Sequence, residues 1–571
     1  MFVHSSKKIF KSILKLFLIY FIAIGIITAQ QSKNEGVVQY SFKNNGKISD
    51  RASLKLFYKD GIVGYESSFR RDSEKEKEFI NYNDNSTYQL LTIDDGVFYQ
   101  KKSFSEFEEA KILDETENIL GYDCKKAVLK IKSNTIEVWF TNELGIKGSP
   151  STSVAPGLGL ILKMVRNRDY ETFATNIDFR TLINEELNFD LTNAKEIDGA
   201  SYYRKLIDSR YQTITVFNRE QINYGDTIKN PNEEILDHTY RFSNGTVLLK
   251  KIKLPKISNG STVMAEVNSW SNGDAYDRTG SLFIIPTTKE KSFLDAFKNG
   301  IDKVPIYNDN KDNKFQGVIT TSNYDPPLEL LRFFTPFGVS GFNNYTKIEG
   351  YNWADSAKYS QEVTDLIPHN GSEIWIGVFI GNYDKGGHLA SLRLKIHPSF
   401  RGNDENDKKW IQPIFNTMNI MEMSGQNYGT MFHDDSLEVT VEIPEGLESL
   451  SLRYTSTGHG GWGGGDEFNP KMNEIFIDDS LVYKFIPWRD DCATYRLLNP
   501  ASGNFGNGLT SSDLSRSNWC PGTVTIPEII TLDNLEPGSH TFKIAIPIGE
   551  REGGSFSAWN VSGTLIGKFK N

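Results

Sequence analysis

The sequence is short of several things that would each have pointed to a function. Its 63 basic residues are spread among 73 acidic ones with no basic block, giving a formal charge of −10. Phosphate binding needs clustered Lys and Arg, so nucleic acid is excluded as the main partner. Past the first thirty residues no run is long and apolar enough to cross a membrane. Histidine is scarce, eight in all, and shows no H-x-H, no H-E-x-x-H and no helical i, i+4 pair, so no metal centre is expected. There is no G-x-S-x-G elbow, no Walker loop and no short internal repeat. Cysteine is scarcest: Cys124, Cys492 and Cys520 are all there is, and no cysteine follows the N-terminal apolar run to make a lipoprotein site.

What is present begins with a targeting segment. Lys7, Lys8, Lys11 and Lys15 lead into the apolar run Leu16–Ile27, and Ala29 stands where a signal peptidase cuts. Residues 1–29 therefore read as a signal peptide of a secreted or periplasmic protein, the alternative being an uncleaved anchor. The rest, 12% aromatic and 24% charged, is long enough for about three domains. Short alternating runs such as Val37–Phe42, Thr135–Phe140, Thr262–Val267, Leu437–Ile443 and His540–Ile546, with Asn, Asp and Gly between them, predict antiparallel strands throughout. The expected organisation is all-β. An N-terminal antiparallel module spans 34–186, and a polar connector spans 187–212 with one helix at Ala200–Ser209. Two sandwiches or jelly rolls follow at 213–400 and 401–571, divided by the charged stretch Pro398–Lys409.

Chemistry concentrates in three places. In Gly458–Phe468, GHGGWGGGDEF, glycine fills six of the first eight positions. So much glycine loses more entropy on ordering and supplies no core side chains, so the loop lets backbone pass close to something, and Glu467 is the leading candidate. In Asn268–Arg278, NSWSNGDAYDR, Asp274 and Asp277 crowd a turn that opens into a strand; Asp and Asn also make turns through side chain to backbone bonds, a purely structural use of the same residues. Brought together, Asp277 and Glu467 would form a carboxylate pair able to activate water and protonate a leaving group. Arg516 and Trp519 precede Cys520. Cys492 and Cys520 flank a Gly-, Ser- and Asn-rich loop whose unfolded freedom a bridge would limit by roughly 3–4 kcal/mol, so a disulfide is expected there, with Cys124 free; two unpaired buried thiols are the alternative.

These segments, in this order, resemble the peptide N-glycosidase F family over roughly residues 213–567. Tyr276-Asp277-Arg278 is similar to the family's catalytic W-D-R turn, and Arg332–Phe337, RFFTPF, to its R-F-x-T-P-aromatic strand; Val363-Thr364-Asp365, Gly458-His459-Gly460, Glu467-Phe468 and Arg516–Gly522, RSNWCPG, follow. The resemblance implies two adjacent eight-stranded jelly rolls with the site at their interface, and hydrolysis of the amide between asparagine and the innermost N-acetylglucosamine of an N-glycoprotein or glycopeptide. It implies no cofactor. It assigns water activation to Asp277 and positioning or stabilisation of the amide to Glu467. Substrate binding falls to Asp274, Arg278, His459, Trp462 and Arg516. A monomer is expected. The family's third acid would fall near Val378, where Ile374–Tyr383 has no carboxylate, and its two small disulfides beside the catalytic acids are absent too. Loss of the third acid fits a silent glycan-binding protein as the alternative, while the copper oxygenases that share the double jelly roll find no support in the histidine spacing. The first module resembles the GLPGI family of secreted β modules through GYDCKKA, VWFT and PGLGLIL, and this implies no reaction.

Overall fold

Asn45-Gly46 and Asp60-Gly61 adopt positive φ at both residues of each pair, the conformation that two-residue hairpins need and that Asn, Asp and Gly tolerate. Such turns generate the first part of the computed structural model, which describes residues 34–68, 75–225, 229–399, 408–426, 431–433, 435–460, 465–501, 510–549 and 557–570. The expected signal peptide and the expected 400/401 boundary lie outside the described residues. The chain divides into two units, one ending at Ser209 and one beginning at Arg210.

The first unit is one twelve-stranded sheet. From edge to edge it runs Ala194–Glu196, Gly96–Ser103, Ser86–Ile93, Glu76–Asn81, Ile62–Ser67, Lys47–Lys59, Glu35–Asn44, Tyr170–Asp178, Leu160–Arg166, Asn134–Thr141, Tyr122–Ile131 and Lys111–Ile119. Every pairing is antiparallel except that of Ala194–Glu196 with Gly96–Ser103. Of residues 187–212, read above as a connector, 187–209 belong to this unit and Ala194–Glu196 is the strand they give to its sheet, while Gln212 opens a strand of the second unit. Leu187, Phe189 and Leu191 pack on Phe79, Tyr88 and Leu90. The helix Gly199–Asp208, capped by Asp198 accepting from Ser201 N, buries Tyr202 and Leu206 beside Leu91. The irregular spacing of its charges hid these apolar contacts. Cys124 is buried and free.

The second unit holds two sandwiches. In the first, the sheet Gln212–Ile222, His388–His397, Thr262–Ser271, Ala357–Glu362 faces a sheet of Thr239–Phe242, Val247–Lys253, Glu373–Ile380, Thr279–Ile285 and Leu328–Phe334. Their inner faces share one core, with Val216, Val263 and Leu392 against Leu248, Leu282 and Val378. The second sheet is covered on its other face as well, by Phe293 and Phe297 of the helix Phe293–Asn299 and by Met418 and Ile420. Leu328–Phe334 is therefore buried at every position. In the second sandwich, Lys409–Asn416, Ala558–Phe569, Leu447–His459 and Glu528–Thr531 pack against Leu437–Ile443, Gly538–Ala545, Asn473–Ile477 and Ser480–Phe485. The short strand Val524–Thr525, from the same part of the chain, pairs with Leu328–Phe334 and so forms the edge of the first sandwich's second sheet. Among the described residues no helix is long and apolar enough to cross a membrane.

Candidate active site

Asp277 sits in the turn between the strands Thr262–Ser271 and Thr279–Ile285, and that turn is held from three directions. Asp274, buried, accepts from Tyr276 N at 3.1 Å through one oxygen and from Arg278 Nε at 2.7 Å through the other. Gly387 O accepts from Asn272 N and Asp274 N. The third grip comes from the RFFTPF strand. Thr335 Oγ1 accepts from Arg278 N at 2.7 Å and donates to Tyr276 O at 2.7 Å, while Thr335 N donates to Arg278 O at 2.9 Å. One buried threonine thus ties down the residues on both sides of Asp277.

Glu467 is held by the second sandwich. Ser517 N donates to its carbonyl at 3.0 Å. The neighbouring Asp466, fully buried, accepts from Trp559 Nε1 at 2.7 Å and Gly549 N at 3.0 Å. Close approach is seen at Gly458, where a Cβ would lie 2.8 Å from the Trp559 ring and 2.9 Å from Ser517, and, outside that loop, at Gly549, where one would lie 2.4 Å from the Asp466 carboxylate; Gly461, Gly463 and Gly464 lie outside the described residues. Arg516 lies between the two acids. Its guanidinium, fully buried, stacks on Trp519 at 4.3 Å and Phe468 at 4.8 Å. Nη2 donates to the carbonyl and hydroxyl of Ser511 and stands 3.6 Å from Asp277 Oδ2, and Nη1 donates to Glu467 Oε1. Cys492 and Cys520 form the expected disulfide, and beside it Arg489, just before the loop it closes, exchanges both backbone hydrogen bonds with Arg516.

The electrostatics follow from this packing. Burial pushes the Asp277 carboxyl up to about 7, with Arg516 pulling down and Glu467 pushing further up. Burial raises Glu467 as well, again opposed by Arg516. The two carboxyls titrate as a pair around one cation. Burial also opposes ionisation of Asp274, but His388 and Arg278 beside it hold its carboxyl below the usual range.

The remaining expected residues divide. Arg278 lies behind the pair, its guanidinium against the Tyr276 ring at 4.9 Å and the Tyr383 ring at 5.4 Å. His459 is half-buried against Phe334 and Trp519. Its Nε2 is 2.8 Å from Thr457 Oγ1, which already accepts from Arg332 Nη1 and so has its own proton left for the imidazole. Burial, with Arg332 and Arg516 nearby, lowers His459 to about 3, so the ring is neutral. Trp462 lies outside the described residues. Val378 points into the first core between Leu248 and Leu282, where a carboxylate would be stranded among aliphatic side chains. Sequence reading missed Thr335, whose motif it had found, and Tyr383, Asp466 and Ser511, which no spacing singled out.

Residues 213–396 match the family model described as Peptide-N-glycosidase F, N terminal, residues 427–566 that described as Peptide-N-glycosidase F, C terminal, and residues 38–204 that described as N-glycanase peptide, N-terminal domain. Solved structures described as PNGF-II, in C2 and P21 crystal forms, are 42% identical over 94% of this chain and 98% and 100% of theirs, each with a TM-score of 0.85. PNGase F, a glycosylasparaginase from Flavobacterium meningosepticum, is 15% identical over 63% of this chain and 96% of its own, with a TM-score of 0.43. No curated protein matches. With 42% identity along nearly its whole length, and family models matching in all three parts, the chain belongs to the peptide N-glycosidase F family.

Proposed function

We propose that the protein is an exported amidase that hydrolyses the bond between asparagine and the innermost N-acetylglucosamine of N-linked glycopeptides or glycoproteins. The observation that carries this reading is the placement of Asp277 and Glu467 on either side of the buried Arg516. An amide is a poor electrophile with a poor leaving group, so its hydrolysis needs an activated water, a stabilised oxyanion and a proton for the nitrogen. Asp277, ionised, takes a proton from water as the oxygen attacks the side-chain carbonyl carbon. Charge developing on the carbonyl oxygen faces Arg516 and a Glu467 that burial inclines toward its protonated, donating form. Asp277 then returns the proton to nitrogen, the C–N bond breaks, and aspartate and a glycosylamine leave. A carboxyl near pH 7 suits both halves of that exchange.

Export is inferred from the basic and apolar segment at residues 7–27, and the Cys492–Cys520 disulfide suits an oxidising compartment. The test is to incubate the protein with a glycopeptide in ¹⁸O-water and follow products by mass spectrometry. Conversion of asparagine to aspartate carrying one solvent oxygen, abolished in Asp277→Ala, is expected. Intact glycopeptide bound by a folded protein across a broad pH range would replace the amidase with a glycan-binding function.

A further inference from the structure

Exposed apolar side chains in the second unit are sorted by type. Away from the Asp277 turn and the loops joined to it they are aliphatic, as with Ile235, Ile306, Leu481, Ile526 and Ile529. Within this unit, the exposed aromatics among the described residues are five tyrosines, Tyr224, Tyr276, Tyr345, Tyr351 and Tyr383, between 39% and 77% exposed. All five belong to loops hydrogen-bonded into one assembly around Asp277. Tyr224 N donates to Asp384 O, and Gly387 in the same loop accepts from Asn272 and Asp274 of the Asp277 turn. The loop carrying Tyr345 and Tyr351 begins at Gly338, whose N donates to Ala275 O, and Ser340 Oγ donates to Ser271 O at 2.9 Å.

That loop is pinned from within. Asn343 exchanges two 2.9 Å hydrogen bonds with the backbone of Trp353, whose indole N donates to Thr346 O at 3.1 Å. Trp353 is buried, edge-on to Phe342, with Arg496 5.5 Å from its ring. Gly341 N donates to Asp355 Oδ1 at 2.8 Å and closes the base. A loop this well tied that still leaves two tyrosine rings in water keeps apolar surface exposed without a packing return, which is what a binding surface looks like.

The chemistry of the end as a whole identifies the ligand. Arg278 at this end is matched internally, its Nε bonded to Asp274 and its face to two rings, and the Tyr383 hydroxyl donates to Glu422 at 2.6 Å, while Lys347 and Glu349 stand exposed between Tyr345 and Tyr351. What Tyr345 and Tyr351 add outward is flat apolar ring bordered by polar groups. A sugar ring presents the complement, a C–H face bordered by hydroxyls. We propose that this end is a carbohydrate-binding surface extending beyond the sugar at the cleaved amide, with Tyr345 and Tyr351 as its contacts to the outer residues of the glycan. The inference rests on the amidase reading, but its test is separable.

Glycopeptides of one peptide sequence, bearing either a two-sugar stub or a complete oligomannose glycan, are compared in wild type and Tyr345→Ala/Tyr351→Ala, with melting temperature as the folding control. The preference in kcat/KM for the long glycan over the stub is expected to fall about tenfold, through KM, as for loss of a strong aromatic contact. Isothermal titration of a free oligomannose glycan into Asp277→Ala, with and without the two tyrosines, is expected to show a similar weakening. An equal loss on both substrates, a loss that follows peptide length instead, or titration curves that coincide would overturn the surface. If wild type cleaves neither substrate, the amidase reading fails, while the titration still decides the surface.

Discussion

Asp277 is pulled two ways, and its titration reports the balance. Burial and Glu467 raise its carboxyl to about 7 while Arg516 opposes them, so kcat/KM is expected to fall about tenfold per pH unit below 7 as the base is protonated. Glu467→Gln removes one raising neighbour. The acidic limb should then move to lower pH, on top of a reduced kcat; a limb that stays in place or moves upward would show that the two carboxyls do not feel each other. The same shift bears on stability, with a sign opposite to that of an ordinary salt-bridged acid. Between the unfolded value near 3.8 and about 7, the folded protein holds a proton that the unfolded chain has released. Stability therefore declines as pH rises through that window and remains lowered above it. Asp277→Asn removes the buried charge and should gain roughly 2 kcal/mol at pH 8, vanishing below pH 4, as read from urea midpoints at the two pH values. A site that resists ionisation where it works costs stability there.

Thr335 shows how a strand end positions a neighbouring turn. Its hydroxyl and amide make three hydrogen bonds to the residues flanking Asp277, so Thr335→Val, close in shape, should lower kcat tenfold or more with a smaller change in KM, and Thr335→Ser should recover most of it. A fall in KM and kcat that serine does not rescue would point to packing instead. Asp277 and Glu467 were legible in the sequence because acids crowded into a turn and a glycine-rich loop stand out locally, and the Cys492–Cys520 bridge because its loop has little else to hold it. Thr335 was not, since its partners are 57 and 59 residues away in the chain and only the fold supplies them. Asp274 was expected to bind substrate and Asp466 was not singled out, yet each is a buried anchor beside a candidate catalytic acid, at the two places where the resembling family has small disulfides. Strand periodicity was legible throughout, whereas the merging of twelve strands into one sheet and the loan of Val524–Thr525 to another sandwich were not, because hydrophobic alternation says which face is buried and nothing about which edge is paired.

Half of the candidate site stands on each sandwich, so the protein can work only if the interface between them is fixed to within the tolerance of the chemistry. A buried ionic cluster occupies that interface. Arg332 forms a two-pronged pair with Glu329 and also donates to Asn560 O and Thr457 Oγ1 of the second sandwich. Arg453 reaches back to donate to the carbonyls of Glu329 and Leu330, and Ser562 donates to Glu329 Oε2. Such a cluster adds little net stability over an apolar equivalent, because desolvating the charges offsets their attraction, but its hydrogen bonds run from one sandwich to the other. Through Thr457 and His459 it also backs the Trp519 ring on which Arg516 stacks. Arg332→Met strands the Glu329 carboxylate and should lower unfolding free energy by about 3–5 kcal/mol. Adding Glu329→Gln removes the stranded charge and should recover much of that loss. If the cluster's role is registration, the double variant regains stability without regaining kcat, because neither side chain is left to fix how the sandwiches meet. Recovery of both in urea titrations and glycopeptide kinetics would instead show that the remaining side chains of the buried strand Leu328–Phe334 and its borrowed neighbour Val524–Thr525 set the interface unaided.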